Sequence, residues 1–144
     1  MADLVAFTEG VLRNEGAAAG EARIVGEALV WSDAIGRPNH GLWRLTAYAE
    51  RFRRGLIQSP CQATFTRVAP ALFAVDGGNG FGHYVGHVAM QHAMEAASEA
   101  GIGLAAVRNS NHFGAGAYFV DLAARKKMIG VATSNSVAKL APYG

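Results

Sequence analysis

The stretch Arg108-Asn109-Ser110-Asn111-His112-Phe113-Gly114-Ala115-Gly116-Ala117-Tyr118 decides how this chain is read, because it sets one histidine in a short polar turn between a strand-like run and a helix-like run. Upstream, Ile102-Gly103-Leu104-Ala105-Ala106-Val107 reads as a short buried strand, and downstream the pattern predicts a helix over 115–127. His112 is therefore expected at the carboxyl edge of a sheet beside a helix N-terminus, where α/β proteins keep reactive groups. A plainer reading stands beside it. Asn109, Ser110 and Asn111 cap the helix, and His112 bonds a backbone carbonyl.

Working outward, Ala71-Leu72-Phe73-Ala74-Val75 reads as a buried strand, 84–100 as a helix and 128–133 as a further strand. This is βαβαβ. Such alternation gives a parallel sheet with right-handed crossovers, so the turns after Val75, Val107 and Thr133 are expected along one edge. The first third has another texture. Leu4, Val5, Val11 and Leu12 form one helical stripe; Ile24, Val25, Ala28 and Leu29 form a second. Leu42, Leu45, Ala49 and Phe52 form a third, which Gly55 ends as a left-handed cap. The fold class is thus α/β, with a helical segment over 1–57 and an α/β segment over 58–144. Leu140-Ala141-Pro142-Tyr143-Gly144 stops in a turn after a strand, and three strands leave an unpaired sheet edge. The α/β segment is accordingly read as truncated at its C-terminus, and the 144 residues alone are expected to be inactive.

A formal net charge of +2, spread over scattered arginines, does not make a nucleic-acid surface. The one dense cluster, Arg51-Phe52-Arg53-Arg54, closes a helix, where cations favour the dipole. No run is long and apolar enough to span a bilayer, and the N-terminus is acidic and amphipathic, unlike a secretory signal. The single cysteine, Cys61, excludes an internal disulfide and a CxxC metal site. The reading is a cytoplasmic protein with no nucleic-acid or membrane partner.

Four constellations carry possible chemistry. Asp76-Gly77-Gly78-Asn79-Gly80-Phe81-Gly82-His83 follows a strand and precedes a helix, the context of a dinucleotide fingerprint. Gly80, Gly82 and Gly86 give GxGxxxG, however, and Arg108 stands at the end of the next strand, where an acidic residue would hold a ribose hydroxyl. The other reading is a turn that lets one backbone pass close to another. His83 and His87 share a helix face, but no third ligand joins them and Tyr84 stands where a zincin motif needs glutamate, so no metal is assigned. Cys61 has no adjacent base and reads as a packing residue. In Gly36-Arg37-Pro38-Asn39-His40-Gly41-Leu42-Trp43-Arg44, Arg44 follows His40 by one helical turn, so a guanidinium and an imidazole project toward one place. Arginine grips a carboxylate with two parallel bonds, and histidine exchanges a proton near neutral pH. A helix N-cap with a surface arginine is the alternative there.

Taken together, Asn39-His40-Gly41-Leu42-Trp43-Arg44, Val75-Asp76-Gly77-Gly78-Asn79-Gly80-Phe81-Gly82, Asn109-Ser110-Asn111-His112-Phe113-Gly114 and Thr133-Ser134-Asn135-Ser136 resemble the type-2 malate/L-lactate dehydrogenase family. The resemblance runs over essentially the whole chain and covers only the N-terminal portion of the longer family members. It implies a non-Rossmann fold and an NAD- or NADP-dependent oxidoreductase acting on 2-keto and 2-hydroxy acids or related imino or ureido acids. By position, His40 and His112 are similar to the two active-site histidines, with His112 beside the nicotinamide, and Arg44 to the arginine that holds the substrate carboxylate. Ser136 is similar to a cofactor-contacting residue. Asn39 stands where the family usually has serine, within reach of substrate. The resemblance also implies a homodimer of the full-length protein. Two other classes remain: a non-catalytic α/β module binding a small anion or partner subunit, and a nucleotide binder using the Gly77 to Gly82 turn.

Overall fold

A computed structural model describes residues 1–135. Helix α1 spans Ala2–Asn14 and α2 spans Ala19–Ala34. Gly26 on α2 makes their close crossing possible, since a Cβ there would lie 3.1 Å from the Val5 carbonyl and 3.3 Å from Thr8 Cβ. Two 3₁₀ turns, Pro38–His40 and Leu42–Arg44, lead into α3, Leu45–Arg53. Gly55 takes φ +69 just past α3, and its N–H bonds the Phe52 carbonyl at 2.8 Å, the left-handed cap expected there.

The third apolar stripe buries as expected. Leu45, Ala49 and the Tyr48 ring join Leu12, Val25, Leu29, Ile57 and Phe81 in one cluster. The helical part is tied to the loop that follows by Glu21, a buried carboxylate of α2 that accepts bonds from the Ser59 hydroxyl and the Cys61 N–H.

Beyond that loop come β1 (Thr64–Ala69), β2 (Leu72–Asp76), α4 (Gly82–Ala100), β3 (Leu104–Arg108) and α5 (Gly116–Arg125). Strands β2 and β3 are parallel, with Leu72 opposite Leu104 and Asp76 opposite Arg108, and α4 makes the crossover. Val85 and Ala89 of α4 bury against Val75 of β2. This is the expected β-helix-β unit, and the chain is α/β as read.

Strand β3, read as buried, is mostly exposed, with Leu104 58% and Val107 43% exposed, and two further elements differ from expectation. Strand β1 is antiparallel to β2, with Phe65 opposite Val75, so the sheet is mixed, in the order β1-β2-β3. Residues 128–133 form no strand. That segment follows α5 instead: at Gly130 a Cβ would sit 3.0 Å from Ala123 Cβ and 3.1 Å from Val120 Cα, and Ala132 packs with Tyr118 and Phe119. Ile129 and Val131 are left 98% and 77% exposed.

Candidate active site

Two of the turns expected along one edge interlock there. The Gly77 N–H bonds the Arg108 carbonyl at 2.8 Å, and the Asn79 N–H bonds the Asn109 carbonyl at 2.9 Å. The glycines of the first turn are filled by the chain itself. A Cβ at Gly77 would stand 2.8 Å from the Asn109 carbonyl oxygen, one at Gly78 would stand 2.9 Å from the Gln62 backbone, and one at Gly80 would overlap Cys61 Sγ. At Gly82 a Cβ would overlap the Asn111 and His112 carbonyls. These glycines permit close backbone passage and leave no open cradle for a pyrophosphate, which disposes of the nucleotide-binding reading of this turn. Cys61 is half-buried, its thiol pushed up by burial and bonded to the Gly77 carbonyl at 3.3 Å, as a packing residue would be.

Above this edge the structure brings His40 and His112 together, their rings nearly parallel at 13° with centroids 6.0 Å apart. Tyr48 completes the group. Its ring lies in the helical core while its hydroxyl bonds His112 Nδ1 at 2.7 Å. The Gly114 N–H also points to His112 Nδ1, at 3.3 Å, so Nδ1 accepts and the proton of the neutral ring lies on Nε2. Burial pushes the Tyr48 phenol up to about 12, against the pull of the Arg44 and Arg51 charges. It therefore stays a hydroxyl across the neutral range, able to donate to a neutral His112 or accept from a charged one.

His40 is half-buried, and burial first, then the positive charges of Arg44 and Arg37, hold its pKa below the ordinary histidine value. The segment is not the capped α-helix expected. No side chain caps either 3₁₀ turn at its first residue; instead Asp33 at the end of α2 accepts the Leu42 N–H at 2.9 Å, and a Cβ at Gly41 would overlap the Asp33 carboxylate. This pins the turn that carries His40 and Arg44. Arg44 Nε donates to the Asn39 carbonyl at 2.8 Å, so the backbone of Asn39, not its side chain, meets the guanidinium.

His83 and His87 do not act together. His83 is 1% exposed beneath the site, its ring edge-on to Tyr48 at 5.0 Å, whereas His87 bonds the Tyr118 hydroxyl at 3.0 Å on another side of α4. Among the described residues, no group of three or more histidine, cysteine or carboxylate side chains is placed to hold a metal ion. Ser136 lies outside the described residues. Tyr48 was not named from sequence, although its four-residue spacing from Arg44 was an available signal; Arg51 was read only as a helix-closing cation and Asn111 as a helix cap, whereas α5 starts after Ala115 with no side-chain cap.

For the nicotinamide cofactor that the family implies, the described residues fit at one end. His112 is exposed and offers a flat ring with a fixed tautomer, next to a histidine biased to the neutral form and to unpaired guanidinium groups, as a planar ring bearing an amide and a neighbouring acid would require.

Residues 1–144 match the malate/L-lactate dehydrogenase family model. The chain is 38% identical over 142 residues to a malate dehydrogenase of Pyrococcus abyssi, covering 99% of this chain and 39% of that protein. It is 34% identical over 134 residues to an L-sulfolactate dehydrogenase of Methanocaldococcus jannaschii, covering 93% of this chain and 39% of the relative. The solved structure of sulfolactate dehydrogenase from Methanocaldococcus jannaschii superposes with a TM-score of 0.83 at 30% identity, over 87% of this chain and 36% of that one. The chain thus spans about 39% of the length of these curated relatives. A match over every residue, joined to a fold shared with a solved relative, leads to one conclusion: this chain belongs to the malate/L-lactate dehydrogenase family.

Proposed function

We propose that the protein carrying this chain is an oxidoreductase that interconverts a small 2-hydroxy acid and its 2-keto acid, using NAD or NADP. The observation that carries the reading is the bond from the Tyr48 hydroxyl to His112 Nδ1, in a group that also holds His40 and lies within reach of the Arg44 charge. When bound, the nicotinamide would supply or accept the hydride. In this reading Arg44 grips the acid through its carboxylate, which fixes the C2 oxygen relative to the histidines.

His112 is the proton-transfer residue. Protonated, it gives the Nε2 proton to the C2 oxygen during reduction while Nδ1–H donates to the Tyr48 hydroxyl; in the reverse direction the neutral ring first shifts its proton from Nε2 to Nδ1 through solvent, and the freed Nε2 then takes the hydroxyl proton while Nδ1–H donates to Tyr48. After delivery to oxygen the ring is neutral with its proton on Nδ1; solvent protonates Nε2 and takes the Nδ1 proton, which returns it to the Nε2–H tautomer. His40, held toward the neutral form, orients the carbonyl or the cofactor amide. General acid–base help of this kind is worth about 10²–10⁴-fold in rate. Asn39 and Ser136 are assigned to substrate and cofactor contact by family resemblance, which also implies a homodimer; the cytoplasmic placement rests on the sequence reading alone.

The test is a screen of the protein with NADH and NADPH against pyruvate, oxaloacetate, sulfopyruvate, cyclic imino acids and a ureido acid, followed by cofactor absorbance. Oxidation of a cofactor by at least one acid is expected. Binding of an acid with no oxidation of either cofactor across the panel would favour the non-catalytic anion-binding module instead.

A further inference from the structure

Every arginine among the described residues stands in an ion pair with a carboxylate except Arg37, Arg44 and Arg51. Those three lie beside the residues of the site. Arg44 and Arg37 both act on His40, and Arg44 and Arg51 both act on Tyr48. Arg44, Tyr48 and Arg51 are spaced by four and three residues, which sets them along one face of the turn that begins α3 and of α3 itself. Arg44 and Arg51 therefore flank Tyr48 along that face, and both charges act on its phenol.

Arg51 is held in place by a neutral partner. Its Nη2 donates to Asn111 Oδ1 at 3.1 Å, and Asn111 immediately precedes His112. The orientation of that amide is fixed independently: Asn111 Nδ2 donates to the Asn79 carbonyl at 2.9 Å, to Asn79 Oδ1 at 2.9 Å and to the Gly80 carbonyl at 3.1 Å. The glycine turn, which offers no phosphate cradle, thus holds Asn111, and Asn111 holds Arg51, whose other N–H groups have no partner among the described residues. A guanidinium spends one donor on a neutral amide and faces no carboxylate; that is a poor use of a cation in an ion-paired protein and a good one for an anion that arrives with a ligand.

We infer that Arg51 is a specificity-determining residue that binds a second anionic group of the substrate, a carboxylate or sulfonate distal to the carboxylate held by Arg44. The inference rests on the proposed 2-hydroxy acid reading and narrows it to acids carrying two negative charges. It makes Asn111 a positioning residue, acting through Arg51.

Calorimetric titration of the protein with L-malate, L-sulfolactate and L-lactate, and separately with NADH and NADPH, before and after Arg51→Gln and Arg44→Lys, tests it. The unaltered protein should bind malate and sulfolactate at least about tenfold more tightly than lactate, the worth of one charge-assisted contact. Arg51→Gln should remove that preference, and Arg44→Lys should weaken all three acids. Equal affinity of the unaltered protein for all three would overturn the role of Arg51 while leaving the 2-hydroxy acid reading standing. Binding of none of them would remove that reading, and this inference with it. If Arg51→Gln weakens NADH or NADPH and spares the malate preference, the anion it binds is a cofactor phosphate and the inference fails.

Discussion

At the scale of single residues, the site couples a solvent-facing histidine to a buried one. His83 lies under Tyr48 and His112, fully enclosed, and neither of its ring nitrogens has a hydrogen-bond partner among the described residues. Burial, helped by the nearby His112 and His40, pushes its pKa down to about 3 from the ordinary 6.5. The unfolded chain therefore takes up a proton near pH 6.5 that the folded protein refuses until about pH 3, and stability falls as pH drops through that window. The slope from this one group is about 1.4 kcal/mol per pH unit. In denaturant titrations run near neutrality and at about pH 5, His83→Leu should lose about 2 kcal/mol less than the unaltered protein. At neutral pH the same substitution should be neutral or stabilising by about 1–3 kcal/mol, because it removes unsatisfied buried polar atoms. Parallel pH dependence in the two proteins would mean that His83 titrates with a partner and is not held neutral by burial.

At the scale of elements, the site is made where the strand-exit turns of β2 and β3 meet the start of α4 and the face of α3. Gly82, the first residue of α4, is the tightest of these meetings, since any Cβ there overlaps the carbonyls of Asn111 and His112. Gly82→Ala should cost about 1–3 kcal/mol by overpacking, read from the shift of the denaturant midpoint, and should displace the His112 turn. A change under about 0.5 kcal/mol would show that the two segments part without strain. Much of this was legible beforehand. The period-3.6 stripes found α1, α2 and α3, and the alternation of apolar run and helix found β2, α4, β3 and α5. Strand β1 escaped because Thr64-Phe65-Thr66-Arg67-Val68-Ala69 is mostly exposed and carries no apolar run, so pairing with β2 is what makes it a strand. The opposite error occurred at 128–133, whose apolar run reads as a strand but whose Gly130 packs onto α5. Of the site, His40, Arg44 and His112 could be named from sequence because each sits in a turn of distinctive composition. Tyr48 could not, and Asn111 could be read only as a cap, since their partners lie 64 and 32 residues away.

At the scale of the whole molecule, a mostly helical half and a sheet-bearing half meet along α2 and α4, and the histidines face each other from the two halves. His40 and Tyr48 come from the first and His112 from the second, so the Tyr48 to His112 bond is also a tie between them. The central claim is that this bond prepares His112 to move the proton in a 2-hydroxy acid oxidoreductase. Its most direct test is the turnover of the protein on the best acid of the screened panel, with and without His112→Ala, beside the affinity of each form for that acid. Turnover should fall by about 10²–10⁴-fold, with acid affinity held within a few-fold by Arg44. Equal turnover by the two forms would contradict the account and leave His112 as a residue of the turn.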